Sequence, residues 1–190
     1  MDITEAREIL GDLFYFTAED TDKIIKQLEL PKDAKILDVG TGIGSLAITL
    51  ALNGYRVLTG EPADDDSVYA KKEWRENAQK VGVDHMIDFK AFNAEDMPFE
   101  DGAFDAIFCL GSFHHIEEDS RVKVLEECIR TTGAGGIICI FEPTEESINM
   151  IKQFEPSHPE AADPTEYTGD LDLTSERIAG VRFNAYLFRK

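Results

Sequence analysis

The chain has 190 residues, of which 43% are hydrophobic, so it is long enough to bury the core of one globular domain. Its 38 acidic residues outnumber its 19 basic residues and give a formal net charge of −19. Because nucleic acids are bound chiefly through Lys and Arg, this balance argues against a nucleic-acid partner.

The sequence also predicts a cytoplasmic protein that does not enter a membrane. No stretch reaches the roughly 18 apolar residues that a membrane span needs, and the acidic N-terminus has no apolar signal core. Cys109, Cys128 and Cys139 occur singly in apolar surroundings, which is typical of buried thiols in a reducing compartment. They lack the spacing of metal ligands, so no metal site is predicted.

Two amphipathic helices are predicted at the N-terminus. In residues 3–15, and again in residues 18–29, apolar side chains recur at helical spacing. Thr17, followed three residues later by Asp20, has the form of an N-terminal cap for the second helix. Pro31 is expected to end that helix.

From residue 34 onward, predicted strands alternate with predicted helices. The strands are residues 34–39, 55–58, 86–92, 104–110 and 137–141, and the helices are residues 45–52, 64–80 and 117–131. This alternation favours a mainly parallel sheet with right-handed crossovers and helices on both faces. The central strands are apolar throughout, as strands buried on both faces are. The predicted fold class is therefore a doubly wound α/β domain.

After the fifth strand the pattern changes. Residues 144–154 are predicted to be helical, and residues 155–180, rich in Pro, Asp, Glu and Gly, are predicted to form a loop. Residues 181–188 alternate in polarity and are predicted to form a final strand.

A glycine-rich turn follows the first predicted strand and precedes a helix that begins near Ser45. Gly40, Gly42 and Gly44 let the backbone turn sharply and admit a ligand at van der Waals distance. Dinucleotide enzymes use the pattern G-x-G-x-x-G, whereas this loop is G-x-G-x-G, with Ser45 where the third dinucleotide glycine would fall. Asp38, two residues before the first glycine, either contacts the ligand or simply caps the turn.

Glu61 comes directly after the second predicted strand. A carboxylate at this place can accept hydrogen bonds from the two vicinal hydroxyls of a ribose. The placement suits an adenosine ligand but serves NAD and S-adenosylmethionine (SAM) equally. The alternative is a solvated surface carboxylate.

Two further segments complete a recognisable order of motifs. Residues 93–99 read Asn-Ala-Glu-Asp-Met-Pro-Phe, and the strand at residues 104–110 is followed by Gly-Ser-Phe-His-His-Ile at residues 111–116. With the glycine loop and Glu61, their order and spacing resemble the class I SAM-dependent methyltransferases. Within that family, the likeness is to the small-molecule group that includes the quinone-biosynthesis enzymes. The resemblance covers about residues 33–143.

The resemblance implies a cofactor site for SAM. Its predicted residues are Asp38, Gly40, Thr41, Gly42, Gly44, Glu61, Pro62, Asn93, Ala94, Leu110 and Gly111. The three glycines would line the methionine and ribose portion, with Asp38 positioning the amino group and Glu61 holding the ribose hydroxyls. Leu110 and Gly111 would supply backbone contacts to the methionine end.

At the adenine end, the resemblance places Pro62 near the ring, Asn93 at the exocyclic amine and the Ala94 amide at a ring nitrogen. Family members usually carry Asp at the position of Asn93. An amide oxygen can still accept the same hydrogen bond, so the departure weakens one contact without removing the site.

The family also implies a layout for the single domain. Its Rossmann-like sheet would end in an antiparallel strand, residues 181–188, beside residues 137–141. Residues 33–143 would form the cofactor-binding core, and residues 144–190 would add a helix, the acidic loop over the carboxyl ends of the strands, and the last strand. Within the N-terminal helices of residues 1–30, the aromatic cluster Phe14-Tyr15-Phe16 would either close over the cofactor or pack as ordinary core.

Methyl transfer needs alignment of donor and acceptor, and a base only if the acceptor must lose a proton. His114, His115 and Glu142 are the candidates for that base, and the sequence does not choose between them. Asp105, at the opposite end of its strand, is expected to be structural. The predicted function is methyl transfer from SAM to a small molecule; the alternatives are a nicotinamide-dependent oxidoreductase and a SAM-binding module without activity.

Overall fold

The computed structural model describes residues 1–65, 70, 73–169, 171 and 173–190. Within them lies one seven-stranded sheet with the strand order β3-β2-β1-β4-β5-β7-β6. The strands are β1 (Ile36–Val39), β2 (Val57–Gly60), β3 (Ile87–Phe89), β4 (Phe104–Leu110), β5 (Thr132–Pro143), β6 (Thr174–Ile178) and β7 (Phe183–Arg189). Strands β1 to β5 pair in parallel, while β7 runs antiparallel to both β5 and β6. The predicted Rossmann-like sheet with an antiparallel C-terminal strand is confirmed.

Helices cover both faces of this sheet. They are α1 (Ile3–Leu10), α2 (Asp12–Leu28), α3 (Ser45–Leu52), α4 (Trp74–Lys80), α5 (Glu118–Thr131) and α6 (Glu145–Lys152). Side chains of α1 to α4 share one core cluster with Ile36, whereas those of α5 share the other with Leu37. Adjacent residues of β1 therefore point into opposite cores, which explains why the strand is apolar without alternation. No helix among the described residues is both long enough and apolar enough to cross a bilayer.

The strand order creates a crevice next to β1. From β1 the chain builds outward through β2 to β3, then returns to place β4 on the other side of β1. In doubly wound sheets, ligands bind at this reversal, outside the carboxyl ends of the strands. The loop of residues 40–44 begins directly after β1, so the fold places the glycine turn at the expected ligand position.

The boundary between the two N-terminal helices differs from the prediction. The break falls at Gly11, whose φ of 86° lies in the left-handed region, and Thr17 lies inside α2, where its hydroxyl donates to the Phe14 carbonyl at 2.8 Å. The prediction of a cap at Thr17 is therefore wrong. The side-chain cap is at Asp2, before α1, where the carboxylate accepts the N–H groups of Thr4 and Glu5. Thr17 does not begin a helix, because the break falls earlier, at Gly11, and the Thr17 hydroxyl bonds to a carbonyl of the preceding helical turn.

The C-terminal region contains a strand that was not predicted. Strand β6 lies within residues 155–180, and none of its residues is buried, so it has no alternation of apolar side chains to reveal it. It forms the sheet edge and carries charged side chains, as exposed edges commonly do. Strand β7 begins at Phe183 rather than at residue 181. The bounds of the other predicted helices and strands differ from the observed ones by a few residues. Within the predicted helix 64–80, the structure shows α4, and Val68 lies outside the described residues.

Asp20 explains how α2 is fastened to the last strand. Its side chain is buried, and its carboxylate accepts backbone N–H groups from Val181 at 3.1 Å, Arg182 at 2.6 Å and Phe183 at 2.9 Å. A carboxylate that accepts several backbone N–H groups is satisfied without a cation. This contact holds the entry of β7 against the N-terminal helices.

We predict that Asp20→Ala lowers the free energy of unfolding by about 3 kcal/mol or more, because hydrogen bonds to a charged group contribute about 1.5–3 kcal/mol each and three N–H groups lose their acceptor. Urea denaturation of both proteins measures the difference. The neighbouring exposed residue provides the control, since Glu19→Ala should change stability by no more than about 0.5 kcal/mol. Equal effects of the two substitutions would contradict the role of Asp20.

Candidate active site

The glycine loop after β1 has a backbone that only glycine adopts easily. Gly40, Gly42 and Gly44 have φ angles of 97°, 50° and 83°, all in the left-handed region. The Gly40 N–H donates to the Gly60 carbonyl at 2.8 Å, which continues the pairing of β1 with β2. The three glycines predicted to line the cofactor thus form one tight turn that leads into α3.

Asp38 lies beneath this turn and is fully buried. Its Oδ2 accepts a hydrogen bond from the Thr59 hydroxyl at 2.8 Å, while Oδ1 has no partner among the described residues. Burial raises the pKa of Asp38 to about 8; the nearby charge of Glu61 adds to this rise and the bond from Thr59 opposes it. A buried carboxyl with one unused oxygen is suited to a positively charged ligand group.

Ser45 flanks the loop on its other side. The residue is buried at the first turn of α3, and its Oγ has no hydrogen-bond partner among the described residues. Buried polar atoms are nearly always hydrogen-bonded. Two such atoms, Asp38 Oδ1 and Ser45 Oγ, therefore flank the glycine turn in the chain. Their lack of a partner within the described protein indicates that a bound ligand supplies one. Ser45 was not predicted to bind the cofactor.

Glu61 contacts the glycine loop from the end of β2. Its buried carboxylate accepts the N–H groups of Thr41 at 3.1 Å and Gly42 at 3.0 Å through Oε2. The Glu61 carbonyl accepts the Phe92 N–H at 3.2 Å, which links it to the chain after β3. In this structure the carboxylate therefore stabilises the loop, and its contact with a ribose stays a prediction.

The predicted adenine side lies at the rim of the crevice. Pro62 and Ala94 are half-buried, and Asn93 is exposed, with its Oδ1 accepting the Glu95 N–H at 2.9 Å. Arg130 of α5 donates to the Met97 and Phe99 carbonyls at 2.9 and 2.8 Å and so fixes the shape of the segment.

Leu110 and Gly111 end β4 beside the glycine loop. The Gly111 N–H donates to the Phe141 carbonyl at 2.8 Å, and its φ of 59° turns the chain sharply. Ser112, which the sequence gave no reason to select, donates from its hydroxyl to the Val39 carbonyl at 3.0 Å. A Cβ at Gly40 would lie 2.7 Å from that hydroxyl oxygen. Ser112 thus joins the carboxyl ends of β1 and β4 at the point where the loop begins.

The structure distinguishes His114 from His115. His114 is buried in the short 3₁₀ turn after β4, and its Nδ1 lies 3.0 Å from both carboxylate oxygens of Glu142, at the end of β5. Since a carboxylate only accepts, Nδ1 carries a proton, and in the neutral form of the ring the lone pair is on Nε2. Nε2 is buried without a partner among the described residues. Glu142 is held in turn by the Ala162 N–H at 3.0 Å.

His115 is exposed and sits against two other imidazoles. Its ring centroid lies 4.2 Å from that of His114 and 5.0 Å from that of His158. Partial burial of its side chain against these rings lowers the pKa of His115 to about 4, and the charges that the two neighbouring imidazoles can carry add to the effect. Of the two histidines, His115 is therefore neutral throughout the physiological range.

The C-terminal segment contributes to the same region. His158 contacts His114 at a centroid distance of 5.2 Å, and Tyr167 accepts a hydrogen bond from Arg121 at 2.6 Å. Arg121 also donates to the His114 carbonyl at 3.2 Å, so α5 ties the 3₁₀ turn and the C-terminal segment together. The sequence placed residues 155–180 over the strand ends, and residues 158–167 do contact Glu142 and the 3₁₀ turn.

The remaining candidates have structural contacts. The Asp105 carboxylate accepts the Lys35 N–H at 2.8 Å at the amino ends of the strands, as expected for a residue away from the site. Phe14 is buried in the core and Phe16 packs edge-on against Phe183 with centroids 5.9 Å apart. The N-terminal aromatic cluster therefore packs as core in this structure.

Comparison with known proteins places this site in a family. The methyltransferase domain family matches residues 37–140, more than half of the chain. The 27-O-demethylrifamycin SV methyltransferase of Amycolatopsis mediterranei (strain S699) is 28% identical over 120 residues, which are 63% of this chain and 42% of that protein. The sarcosine/dimethylglycine N-methyltransferase of Halorhodospira halochloris is 30% identical over 139 residues, 73% of this chain and 47% of that protein. The chain spans less than half the length of these two curated relatives.

A solved structure shows the same fold over the whole chain. A Methanococcus maripaludis protein assigned to the SAM-dependent methyltransferases has a TM-score of 0.74 and 19% identity, covering 100% of this chain and 93% of that one. The family match includes the glycine loop, Glu61, the segment after β3 and the two histidines. The chain belongs to the methyltransferase domain family.

Proposed function

We propose that this protein transfers the methyl group of SAM to a small-molecule acceptor. The observation that carries the proposal is a pair of buried oxygens, Asp38 Oδ1 and Ser45 Oγ, on either side of the left-handed glycine turn, for which the described part of the chain offers no partner. A cation-bearing ligand at the carboxyl end of β1 would give both atoms a partner. The two curated relatives are named for small molecules, a rifamycin and methylated glycines, which supports a small acceptor.

The residues that would hold the cofactor lie along the crevice at the carboxyl ends of β1 and β2. Asp38 would bind the positively charged amino group, with Gly40, Gly42 and Gly44 allowing close approach of the backbone. Thr41 would be held in place by Glu61. We infer that the Glu61 carboxylate also binds the ribose hydroxyls, since it already stabilises the loop that the ribose would contact.

The two ends of the ligand would meet different parts of the chain. Pro62, Asn93 and Ala94 would contact the adenine at the rim, and Leu110 with Gly111 would contact the methionine portion through the backbone. Bound SAM supplies a methyl group on a sulfonium, which is its own leaving group. What the protein must add is alignment of the acceptor with that methyl, which can contribute effective molarities of about 10⁵ M or more.

His114 is the group best placed to take a proton from an acceptor. Its Nδ1–H is fixed by Glu142, so in the neutral form of the ring Nε2 presents a lone pair at the carboxyl end of β4. A neutral histidine held by a carboxylate is the usual form of a general base. Glu142 then acts as a positioning residue, and the Ala162 N–H positions Glu142.

We further propose that the whole chain is one domain, in which residues 144–190 complete the acceptor side. The contacts of His158, Ala162 and Tyr167 with the site support this arrangement. The net charge of −19 argues against nucleic acid as the acceptor. Three free, buried thiols support activity in a reducing cytoplasm.

The competing functions make different predictions. A nicotinamide-dependent oxidoreductase would bind NAD(P) in the loop, but the loop has Ser45 where the third dinucleotide glycine would fall, and the family match favours SAM. A SAM-binding module without activity would bind SAM but release no S-adenosylhomocysteine. Incubation with SAM and a panel of small hydroxyl, amine and thiol compounds, with S-adenosylhomocysteine measured by mass spectrometry, separates these cases. No release with any compound class would favour the inactive module.

Asp38 makes SAM affinity depend on pH. Because the cation would bind the ionised carboxylate and the pKa of Asp38 is raised to about 8, affinity should be low at pH 6, where the group is mostly protonated, and should increase as pH rises. We predict that the dissociation constant falls at least about tenfold between pH 6 and pH 8.

Calorimetric titration of the wild type and of Asp38→Asn at both pH values tests this. The Asn variant keeps the shape but cannot ionise, so its affinity should be weaker at pH 8 and should vary much less with pH. The same pH dependence in both proteins would exclude Asp38 as the group that contacts the cation.

The histidine–glutamate pair can be tested once an acceptor is known. We predict that His114→Gln reduces kcat about 10²–10⁴-fold, the usual contribution of a general base, with little change in the KM for SAM. Glu142→Gln should also reduce kcat, because it leaves the imidazole without its orienting carboxylate. His85→Gln, at an exposed histidine in the 3₁₀ turn that precedes β3, is the control. A fall in SAM affinity with unchanged kcat would assign the pair to the cofactor site instead.

A further inference from the structure

We propose that His114, His115 and His158 form a binding site for one divalent transition-metal ion such as Zn²⁺. One ring nitrogen from each histidine lies within 4.8 Å of those of the other two. The ring centroids are 4.2, 5.0 and 5.2 Å apart. Two of these residues come from the 3₁₀ turn after β4 and the third from the C-terminal segment, so the fold brings them together from distant parts of the chain.

A second observation at His114 points to a ligand. Its side chain is 1% exposed, and its Nε2 has no partner among the described residues. Its Nδ1 is bound to the Glu142 carboxylate at 3.0 Å. Metal-binding histidines almost always donate their other ring N–H to a carboxylate or a backbone carbonyl, which fixes the tautomer and makes the binding nitrogen more basic. His114 shows this arrangement before any ion is bound.

His158 has the corresponding arrangement with a carbonyl. Its Nδ1 lies 2.9 Å from the Pro159 carbonyl oxygen, which can only accept, so Nδ1 carries the proton and Nε2 is the nitrogen suited to an ion. The residue is buried, and the segment that carries it is anchored by the Ala162 N–H on Glu142. The same carboxylate therefore orients His114 and helps to place His158.

The geometry is close to that of a three-histidine site. Zn–N bonds of about 2.0–2.1 Å in a tetrahedron place ligand nitrogens about 3.3 Å apart, so the nitrogens would have to approach by at most about 1.5 Å. His115 is the exposed member, and rotation of its side chain would bring its ring nitrogen closer to the other two. Imidazole ligands favour Zn²⁺, Co²⁺, Ni²⁺ or Cu²⁺ over Mg²⁺ and Ca²⁺. Three protein ligands leave one tetrahedral position for water or another small ligand.

Metal binding would exclude one step of the proposed function. The lone pair on His114 Nε2 cannot hold an ion and accept a proton at the same time. A loaded site would therefore prevent His114 from acting as the base, and this consequence rests on the proposed function. The metal site itself rests only on the three imidazoles and their hydrogen bonds.

Titration of the full chain with metal tests the site directly. The protein, freed of any affinity tag and treated with a chelator, is titrated with Co²⁺ and followed by visible absorption, and with Zn²⁺ by calorimetry. We expect one ion per chain. His115→Ala and His158→Ala should each weaken binding about 100-fold or more, and Glu142→Gln about 10–100-fold, the usual loss when such an orienting carboxylate is removed.

The remaining histidine of the chain is the matched control. His85 is exposed in the 3₁₀ turn before β3, outside the three-histidine cluster, so His85→Ala should bind the ion as the wild type does. SAM titration of each variant shows that it is folded and keeps its cofactor site. No saturable binding by the wild type, or wild-type affinity in His158→Ala, would overturn the proposal. Metal binding without SAM binding would overturn the proposed function and leave the metal site standing.

Discussion

Buried carboxylates must be given hydrogen-bond partners, and in this acidic protein that requirement shapes the whole carboxyl edge of the sheet. Asp20 is satisfied by three backbone N–H groups at the entry of β7, Glu61 by two in the glycine loop, and Glu142 by a histidine and the Ala162 N–H. Each bond joins segments far apart in the chain. Asp38 is the exception, because one of its oxygens is left without a partner among the described residues.

The carboxylates with partners and Asp38 therefore have different roles. The satisfied carboxylates fix the position of the N-terminal helices, the glycine turn and the C-terminal segment. Burial disfavours the ionised form of the remaining carboxylate, Asp38, and raises its pKa. A cation bound beside it would favour the ionised form. Under the proposed function, binding of SAM at Asp38 would link the affinity for the cofactor to the stability of the unliganded protein. The same reasoning applies to Nε2 of His114 on the acceptor side.

The glycine turn and the carboxylate that contacts it could be predicted because they are local in sequence. Strand, glycine turn, helix and the carboxylate after the next strand occur within residues 36–61, and each has a pattern that reflects its backbone conformation. The fold was predictable for the same reason, since the buried strands are apolar runs separated by amphipathic helices. Strand β6 was missed because it is an exposed edge without that pattern.

The contacts around His114 could not be predicted. The pairing of His114 with Glu142 and the approach of His158 depend on how the segment after α6 folds back over the sheet, and no spacing in the sequence encodes it. Ser112 and Ser45 were missed because a serine next to a glycine turn has no distinctive signal. The predicted helix start at Thr17 was wrong because a two-residue cap pattern is a weak signal, whereas Gly11 adopts a backbone conformation that breaks the helix.

The most direct test of the central claim is calorimetric titration of SAM and of NAD into the wild type, Gly42→Val and Gly82→Val. Both glycines have left-handed φ angles, 50° and 73°, so both substitutions strain the backbone, but a side chain at Gly82 would meet open space. We expect the wild type and Gly82→Val to bind one SAM per chain and no NAD, and folded Gly42→Val to lose SAM binding. SAM binding by Gly42→Val with wild-type affinity, or preferential binding of NAD by the wild type, would contradict that claim.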